Sequence, residues 1–334
     1  MLNMLVTKKT AKKSRVSQLL LGCVIALLPA AVSADNYSEH PKAAAFIDLM
    51  VKKHGFQAAE VQAVLNSAER KQSILDAISR PAEKTKTWAQ YRKIFLGTSR
   101  TEQGRIFLKD YAEPLAKAEQ QFGVPKEIIT AIIGVETRYG RHKGSYRVID
   151  ALATLGFDYP PRSQFFSKEL ENYLLLVKEQ QFDVLQVKGS YAGAMGYGQF
   201  IPSSYRHYAI DYDGDGIVDI VNNPVDAIGS VANYFKMHKW QPQQPVTVAA
   251  TISDTVDRSV ANQKLKPRLT VAELEDRGYL AASPIDSDQV ATAMLLQGDN
   301  GEEAWLGLHN FYVITRYNHS ELYAMSVYQL SETF

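Results

Sequence analysis

Glu136 closes a strongly apolar stretch, residues 125–136 (PKEIITAIIGVE), and TRYG follows at 137–140. On a helix, steps of three and four place Ile133 and Ile132 beneath it, with Ile129 and Ile128 one turn further down. The carboxylate therefore lies on the apolar stripe, whereas a surface glutamate would lie opposite. Pro125 suits the first helical position and Gly140 a left-handed C-terminal cap, so Glu136 falls in the last turn, near the negative end of the helix dipole. Partial burial and that dipole both favour the protonated carboxyl, the state from which a general acid protonates a leaving oxygen in glycoside cleavage. A structural glutamate paired with Arg138 or Arg141 is the competing reading and, on helix position alone, the commoner one.

The second group lies at 189–202 (GSYAGAMGYGQFIP), where Gly189, Gly193, Gly196 and Gly198 are interleaved with Ser190, Tyr191, Tyr197 and Gln199. Dense glycine lets backbone approach a ligand closely. No GK[ST] ends the run and no GxGxxG follows an evident strand, which argues against a phosphate loop. Amides, hydroxyls and aromatic faces suit a sugar cleft, with rings covering the apolar faces of sugars and polar tips bonding hydroxyl or acetamido groups. A tight helix-packing turn is the alternative.

The third group, residues 211–219 (DYDGDGIVD), matches the first nine positions of an EF-hand loop. Asp211, Asp213 and Asp215 stand at the first, third and fifth positions, Gly216 at the sixth, and the Ile217 carbonyl at the seventh. Position twelve is Asn222 rather than glutamate, so the usual bidentate closure is missing. A solvated acidic turn without metal is the competing reading. Other chemistries find little support. His207, His238 and His319 lack zinc spacing, and no GxSxG elbow is present. Asp150 and Asp158 are the nearest alternatives for a second carboxylate, although caps or turns are their commoner roles.

The elements that must hold these groups are mainly helical. Residues 42–80 have helical spacing broken at His54-Gly55, 82–88 is a polar linker, and Tyr91 to Gln121 leads into the Glu136 helix. Leu170–Val177 and Pro224–His238 read as two more helices. Past Trp240 the texture changes: QPQQP breaks the chain, Val246–Ile252 and Ala291–Gln297 read as strands, and Val271–Asp276 as a helix between them. Phe311–Thr315 is apolar and short, and Ser320–Leu330 again has helical spacing. The fold class expected is mainly α, of α+β type, with a small sheet-containing insertion.

With 334 residues, 46% hydrophobic and 22% charged, the chain can bury full cores and is long enough for two or three domains. Lys8, Lys9, Lys12, Lys13 and Arg15 precede an uncharged run from Leu19 to Ala34 that ends in Val32-Ser33-Ala34, the pattern of an export signal cut before Asp35. Cys23, the one cysteine, lies in that run, and Leu20-Leu21-Gly22-Cys23 loosely matches a lipobox, so a lipoprotein anchored through Cys23 is the alternative to a soluble periplasmic form. Without residues 1–34 the chain carries 32 basic and 36 acidic side chains, a balance of −4 that offers no nucleic-acid footprint.

Taken together, Glu136-Thr-Arg-Tyr-Gly and GAMGYGQFIPSSY resemble the lytic murein transglycosylases of the B type. FIDLMVKKHGF, WAQYRKIF, DALATLGFDYP, PVDAIGSVANYF and TRYNHSELYAMSV extend the resemblance over nearly all of the chain past residue 34. The resemblance implies a lysozyme-like helical core, an N-terminal helical domain and a small antiparallel β insertion. The expected division is a signal peptide at 1–34, an N-terminal helical domain at 35–110, a catalytic core with calcium loop at 111–240, a small β domain at 241–301, and a segment at 302–334 that returns to the core.

It further implies that Glu136 is the single acid/base of a lyase that cuts the β-1,4 bond between N-acetylmuramic acid and N-acetylglucosamine and leaves a 1,6-anhydro end. Ser190 would stand near the acetamido group, Gln199 and Tyr191 in the cleft, and Arg162, Tyr234, Tyr317, Asn318 and Tyr323 against glycan or stem peptide. Members often carry two adjacent arginines where this chain has Pro161-Arg162. The aspartate of PVDA, Asp226, would close the metal loop on a structural Ca2+, with no organic cofactor. Peptidoglycan strands are the implied partner, with cell-wall synthesis proteins as further ones, and nothing demands more than a monomer. A hydrolytic muramidase and a non-catalytic glycan-binding scaffold are the alternatives.

Overall fold

The computed structural model describes residues 36–79 and 86–334. The stretch read as an export signal, with Cys23 in it, lies outside these residues, as does most of the polar segment 82–88. Its last member departs from expectation: Trp88 is 1% exposed and opens a helix, because Thr87 and Gln90 form a capping box that starts the helix there.

Three short helices come first, α1 (Ala43–His54), α2 (Ala58–Ser67) and α3 (Gln72–Ile78). Gly55, at φ 67°, ends α1 as the His54-Gly55 break suggests. Then follow α4 (Trp88–Phe95), α5 (Thr98–Asp110), α6 (Ala112–Phe122) and α7 (Lys126–Thr137). The strand β1 (Tyr146–Arg147) leads to α8 (Val148–Asp158), α9 (Ser163–Gln180), β2 (Lys188–Gly189), α10 (Pro202–Tyr208) and α11 (Pro224–Met237). Asn223 caps α11 by accepting from the Val225 and Asp226 amides, and Pro224 occupies the first turn.

Past Trp240 come β3 (Thr247–Ile252), β4 (Leu269–Thr270), α12 (Val271–Glu275), β5 (Tyr279–Ala281), β6 (Val290–Gly298) and β7 (Gly301–Gly307). They form an antiparallel sheet of order β4-β6-β7-β3-β5, whose β6–β7 hairpin is in register from Thr292 opposite Gly307 to Gly298 opposite Gly301. The sheet thus runs to Gly307, past residue 301. Two helices complete the chain, α13 (His309–Tyr317) and α14 (Glu321–Ser331), the latter capped by Ser320.

Three apolar cores hold these elements. One gathers Trp88, Phe107, Leu115, the α7 isoleucines, Phe235 and Trp240, and residues from Phe311 to Leu330. A second joins the N-terminal helices to α8 and α9 through Phe46, Met50, Leu65, Leu152, Phe157 and Leu170. The third lies between the sheet and α12, around Val271, Leu274, Tyr279 and Leu306. In the first core α7 is the central member: α5, α6, α11 and α14 all pack on it, and Ile128 through Val135 are buried.

Candidate active site

The last turn of α7 carries Glu136, and its ending is sharper than the sequence suggests. Pro125 is the N-cap, with extended ψ of 135°, rather than the first helical residue. Left-handed backbone begins at Arg138 (φ 52°) and continues through Tyr139 (φ 59°) to Gly140 (φ 84°). The Arg138 amide donates to Gly134 O at 3.1 Å and the Tyr139 amide to Ile133 O at 3.2 Å, which closes the helix. Two non-glycine residues in this region cost about 1–2 kcal/mol each. Contacts with α5 offset that cost: Arg138 donates to Gln103 Oε1 and Ser99 Oγ, both at 2.9 Å, and Tyr139 Oη to Arg100 O at 3.0 Å. The guanidinium of Arg138 is thus directed to α5, not committed to Glu136 as a structural pairing would require.

Glu136 itself is partly buried, and the Tyr323 hydroxyl donates to its Oε1 at 2.5 Å. Tyr323 comes from the first turn of α14, 187 residues later in the chain, and is 3% exposed. Tyr317, at the end of α13, donates its hydroxyl to Gly198 O at 2.6 Å. Burial first, and then the negative charge of Glu136, push both phenols well above 10. Both remain hydrogen-bond donors at any working pH. A short bond from a neutral phenol to a carboxylate is charge-assisted and fixes the oxygen it reaches.

The glycine-rich run forms the adjoining wall. Thr137, 1% exposed, binds it to α7: its Oγ1 lies 2.9 Å from Tyr197 O and 3.1 Å from Ile133 O, and accepts from the Gly140 amide at 2.9 Å. A Cβ on Gly140 would fall 2.1 Å from the Tyr197 ring, which is why glycine stands there. The Lys143 ammonium lies over that ring at 4.7 Å and donates to Val221 O at 2.7 Å. Strand β1 pairs with β2, and Gly189, Met195 and Phe200 continue the ladder by single bridges.

Ser190 Oγ accepts from the Ala192 amide at 3.3 Å and the Ala194 amide at 3.1 Å, so its own proton is the group left to give. Gln199, in left-handed conformation at φ 50°, donates through Nε2 to Lys143 O and Gly196 O, which leaves its carbonyl oxygen as acceptor. Tyr191 is 38% exposed. Tyr234 stands in a second layer: its hydroxyl donates to Arg316 O at 2.6 Å, and its ring lies 4.7 Å from that of Tyr317 and 4.1 Å from that of His238. Asn318 follows α13 directly. Arg162 is exposed at the start of α9, with its guanidinium 4.1 Å over Phe165. Thr137 was not singled out from the sequence, nor was Tyr91, which is buried on α4. The signal for Tyr91 was its place one turn after Trp88 in WAQYRKIF.

The two alternative carboxylates serve the packing of the N-terminal helices. Asp150, 2% exposed, takes Arg147 through both oxygens at 2.8 Å and the Glu69 amide at 2.9 Å. Asp158 accepts from Tyr37 Oη at 2.7 Å and Arg70 Nε at 3.1 Å.

In the acidic loop, Asp211, Asp213 and Asp226 bring one oxygen each within 4.8 Å of one another. Asp226 is fully buried and accepts from the Tyr212 amide at 2.7 Å and the Asp219 amide at 2.8 Å; burial pushes its carboxyl up. Among the described residues no Lys, Arg or His pairs with the three. Clustered carboxylates without a basic partner suit a hard divalent cation bound through oxygen. Asp215 lies outside the trio and accepts from the Ile217 amide, while Ile217 is 51% exposed. Asn222 donates to Asp219 and does not close the loop.

A family model described as the transglycosylase SLT domain matches residues 38–332. The chain is 44% identical over 306 residues to membrane-bound lytic murein transglycosylase B of Escherichia coli (strain K12), covering 89% of this chain and 83% of that protein. Among solved structures, catenated lytic transglycosylase SltB1 from Pseudomonas aeruginosa gives a TM-score of 0.86 at 52% identity, with 89% of this chain and 98% of that one covered. The Escherichia coli lytic transglycosylase Slt35 in complex with calcium gives 0.82 at 44% identity, covering 88% and 93%. SltB3 from Pseudomonas aeruginosa in complex with NAG-anhNAM-pentapeptide gives 0.78 at 31% identity, covering 87% and 78%. The mainly helical α+β fold is the lysozyme-like one of these proteins. By sequence and by fold, the chain belongs to the transglycosylase SLT family and is an enzyme of the lytic murein transglycosylase B type.

Proposed function

We propose that the enzyme cleaves peptidoglycan strands at the β-1,4 bond between N-acetylmuramic acid and N-acetylglucosamine without water, with Glu136 as the single acid/base. The observation that carries this reading is one carboxylate on a buried helix face, held through Oε1 by the Tyr323 phenol, while Asp150 and Asp158 are engaged by the N-terminal helices. Glu136 gives its proton to the glycosidic oxygen as the bond to C1 of the muramic residue breaks. The cation at C1 is met by the neighbouring acetamido oxygen, as in substrate-assisted glycosidases. The C6 hydroxyl oxygen then bonds to C1 and returns its proton to Glu136, which leaves a 1,6-anhydro ring. Ser190 donates its free proton to the acetamido group, Gln199 and Tyr191 line the cleft, and Tyr317, Asn318 and Tyr323 border it. The bound fragment named for SltB3 carries an anhydro sugar, in keeping with such a product.

Asp211, Asp213 and Asp226 would hold a structural Ca2+ that pins the loop to α11, with Asp215 and the Ile217 carbonyl as the further oxygen donors of the loop; the calcium complex of Slt35 supports this. The enzyme works in the periplasm as a monomer, alongside cell-wall synthesis proteins. Its described chain divides into helical, core, sheet and returning segments, with the sheet segment carried to Gly307. No helix among the described residues is long and apolar enough to cross a membrane.

The test is mass spectrometry of muropeptides released from purified peptidoglycan by residues 35–334, with Glu136→Gln as control. Anhydro ends, lighter by one water than hydrolytic products and absent with the variant, are expected. Reducing ends would refute the transglycosylase reading, and unchanged turnover by Glu136→Gln would refute the role of that residue.

A further inference from the structure

The C-terminal end of α7 is gripped by the first turn of α5, and Arg100 is the cation of that grip. Its Nη1 donates at 2.6 Å to Gly134 O, the carbonyl that also receives the Arg138 amide at 3.1 Å. Gly134 lies two residues before Glu136 in the same helix end. Three contacts fix the guanidinium there. Tyr139 Oη donates to Arg100 O at 3.0 Å, the Arg100 amide donates to Gly97 O at 2.8 Å, and the Phe95 ring lies 5.1 Å from the guanidinium carbon. Glycine at 134 admits the arrangement, since a Cβ there would fall 2.7 Å from the Tyr139 ring.

Arg100 is half-buried and forms no ion pair among the described residues. Burial pulls the guanidinium below its ordinary value, yet it keeps its charge at any working pH. A desolvated cation without a carboxylate is costly unless other negative charge meets it. Here that charge is the negative end of the α7 dipole, reached through Gly134 O. The same helix end acts on Glu136, where it disfavours the carboxylate. Arg100 stands on the α5 side of α7 and Glu136 on the α14 side, so the two act on each other through the helix end and not by contact.

The other charged groups around α7 are engaged elsewhere or neutral. Tyr317 and Tyr323 face Glu136 as phenols held well above 10, and burial pushes the Tyr139 phenol up as well. Arg138 is turned to Gln103 and Ser99, and Arg105 pairs with Glu102. On α6 and α11, Lys117 lies over the Tyr212 ring, Lys236 over Phe122, and Asp226 in the acidic loop. Lys143 is committed to the Tyr197 ring and Val221 O. Of these cations, Arg100 alone spends its side chain on a backbone carbonyl of α7. Glu321, in the first turn of α14, has its carboxyl pushed up to about 7 by burial and so titrates in the working range.

We propose that Arg100 is a positioning residue of the cleavage: its charge at the end of α7 offsets the helix dipole and sets the proton affinity of Glu136. The proposal rests on the reading of Glu136 as the acid/base. A carboxyl that must both give its proton to the glycosidic oxygen and take one back from the C6 hydroxyl works best with its pKa near the operating pH. The dipole and partial burial draw it above that range, and the guanidinium draws it back.

The test is the pH profile of kcat/KM for strand cleavage, with Glu321→Gln as common background so that Glu321 does not contribute. Cleavage falls at high pH as Glu136 loses its proton. Arg100→Met keeps the apolar stem over Phe95 and removes the charge, and should move that limb up by about half a unit to one unit. Arg100→Gln, which keeps an N–H for Gly134 O without the charge, should move it likewise, and Arg100→Lys should leave it in place. A limb unmoved in Arg100→Met and Arg100→Gln, or moved equally in Arg100→Lys, would overturn the proposal; so would failure of both neutral variants to fold by circular dichroism, which would make Arg100 structural. Carbon-13 NMR of labelled glutamate carboxyls reads the same shift without substrate, with the Glu136 signal identified by its loss in Glu136→Gln. Undiminished cleavage by Glu136→Gln would sink the acid/base reading, while the NMR titration still decides whether Arg100 governs that carboxyl.

Discussion

Replacing Thr137 by valine keeps the shape of a side chain that is 1% exposed and removes one oxygen. That oxygen accepts from the Gly140 amide at 2.9 Å and has Tyr197 O at 2.9 Å and Ile133 O at 3.1 Å as acceptors for its single proton. Ile133 O also receives the Tyr139 amide, so it keeps a partner in the variant. The Gly140 amide and Tyr197 O lose theirs, and each group left unmatched costs about 1–3 kcal/mol when buried. Both residues are half-buried, so water recovers part of the loss, and a net destabilisation of about 2 kcal/mol is expected. Urea unfolding should show a lower midpoint with unchanged slope. Because the same hydroxyl ties the Glu136 helix to the glycine-rich wall, kcat/KM for strand cleavage should fall about tenfold, which corresponds to about 1.4 kcal/mol in the barrier. A stability change under about 0.5 kcal/mol together with unaltered kcat/KM would refute this account of how the wall is held.

Tyr323→Phe removes the donor to Glu136 Oε1 and should lower kcat by about ten- to a hundredfold while the fold survives, measured by initial rates and circular dichroism; equal rates would show that the phenol is dispensable. Calcium at a hundred times its Kd should add about 2.7 kcal/mol to unfolding stability, and Asp226→Asn should abolish that gain in calorimetry at matched calcium concentrations; a gain retained by the variant would place the ion elsewhere. Burial pushes the Glu321 carboxyl up to about 7, so the folded chain holds that proton more tightly than the unfolded one. Stability is therefore fully favoured below about pH 4.5 and declines as pH rises through 7, and Glu321→Gln should gain about 1–3 kcal/mol at pH 8 and little at pH 4. A gain equal at both pH values would refute the linkage.

The legible parts of the chain were those with boundary residues or a recurring apolar spacing. Helix α7 was visible between Pro125 and Gly140 although Ile128 through Val135 are buried, α11 followed Pro224, and α1, α12 and α14 were read from apolar residues at helical spacing. Helix α8 was not assigned, since it is buried from Val148 to Phe157 on every side and has no polar face to set a period. Strand β7 begins GEE, which reads as a turn until Gly298 and Gly301 close a hairpin on it. In the site, single residue types such as Glu136, Ser190 and Asp226 could be pointed to, but which hydroxyl meets which oxygen could not. Tyr323 and Glu136 have no local pattern in common, and the left-handed turn at Arg138 and Tyr139 is sustained by α5, far off in sequence.

The late arrival of α14 has a consequence for the timing of activity. Synthesis proceeds from the N-terminus, and Tyr323 follows Glu136 by 187 residues. A nascent chain can therefore complete α7 and the glycine-rich wall and still lack the phenol that holds the carboxylate, because contacts of long sequence separation form last. Until α14 packs, the Glu136 carboxylate is without its Tyr323 donor. A copy clipped before α14 loses the same donor and should fall at least to the rate of Tyr323→Phe.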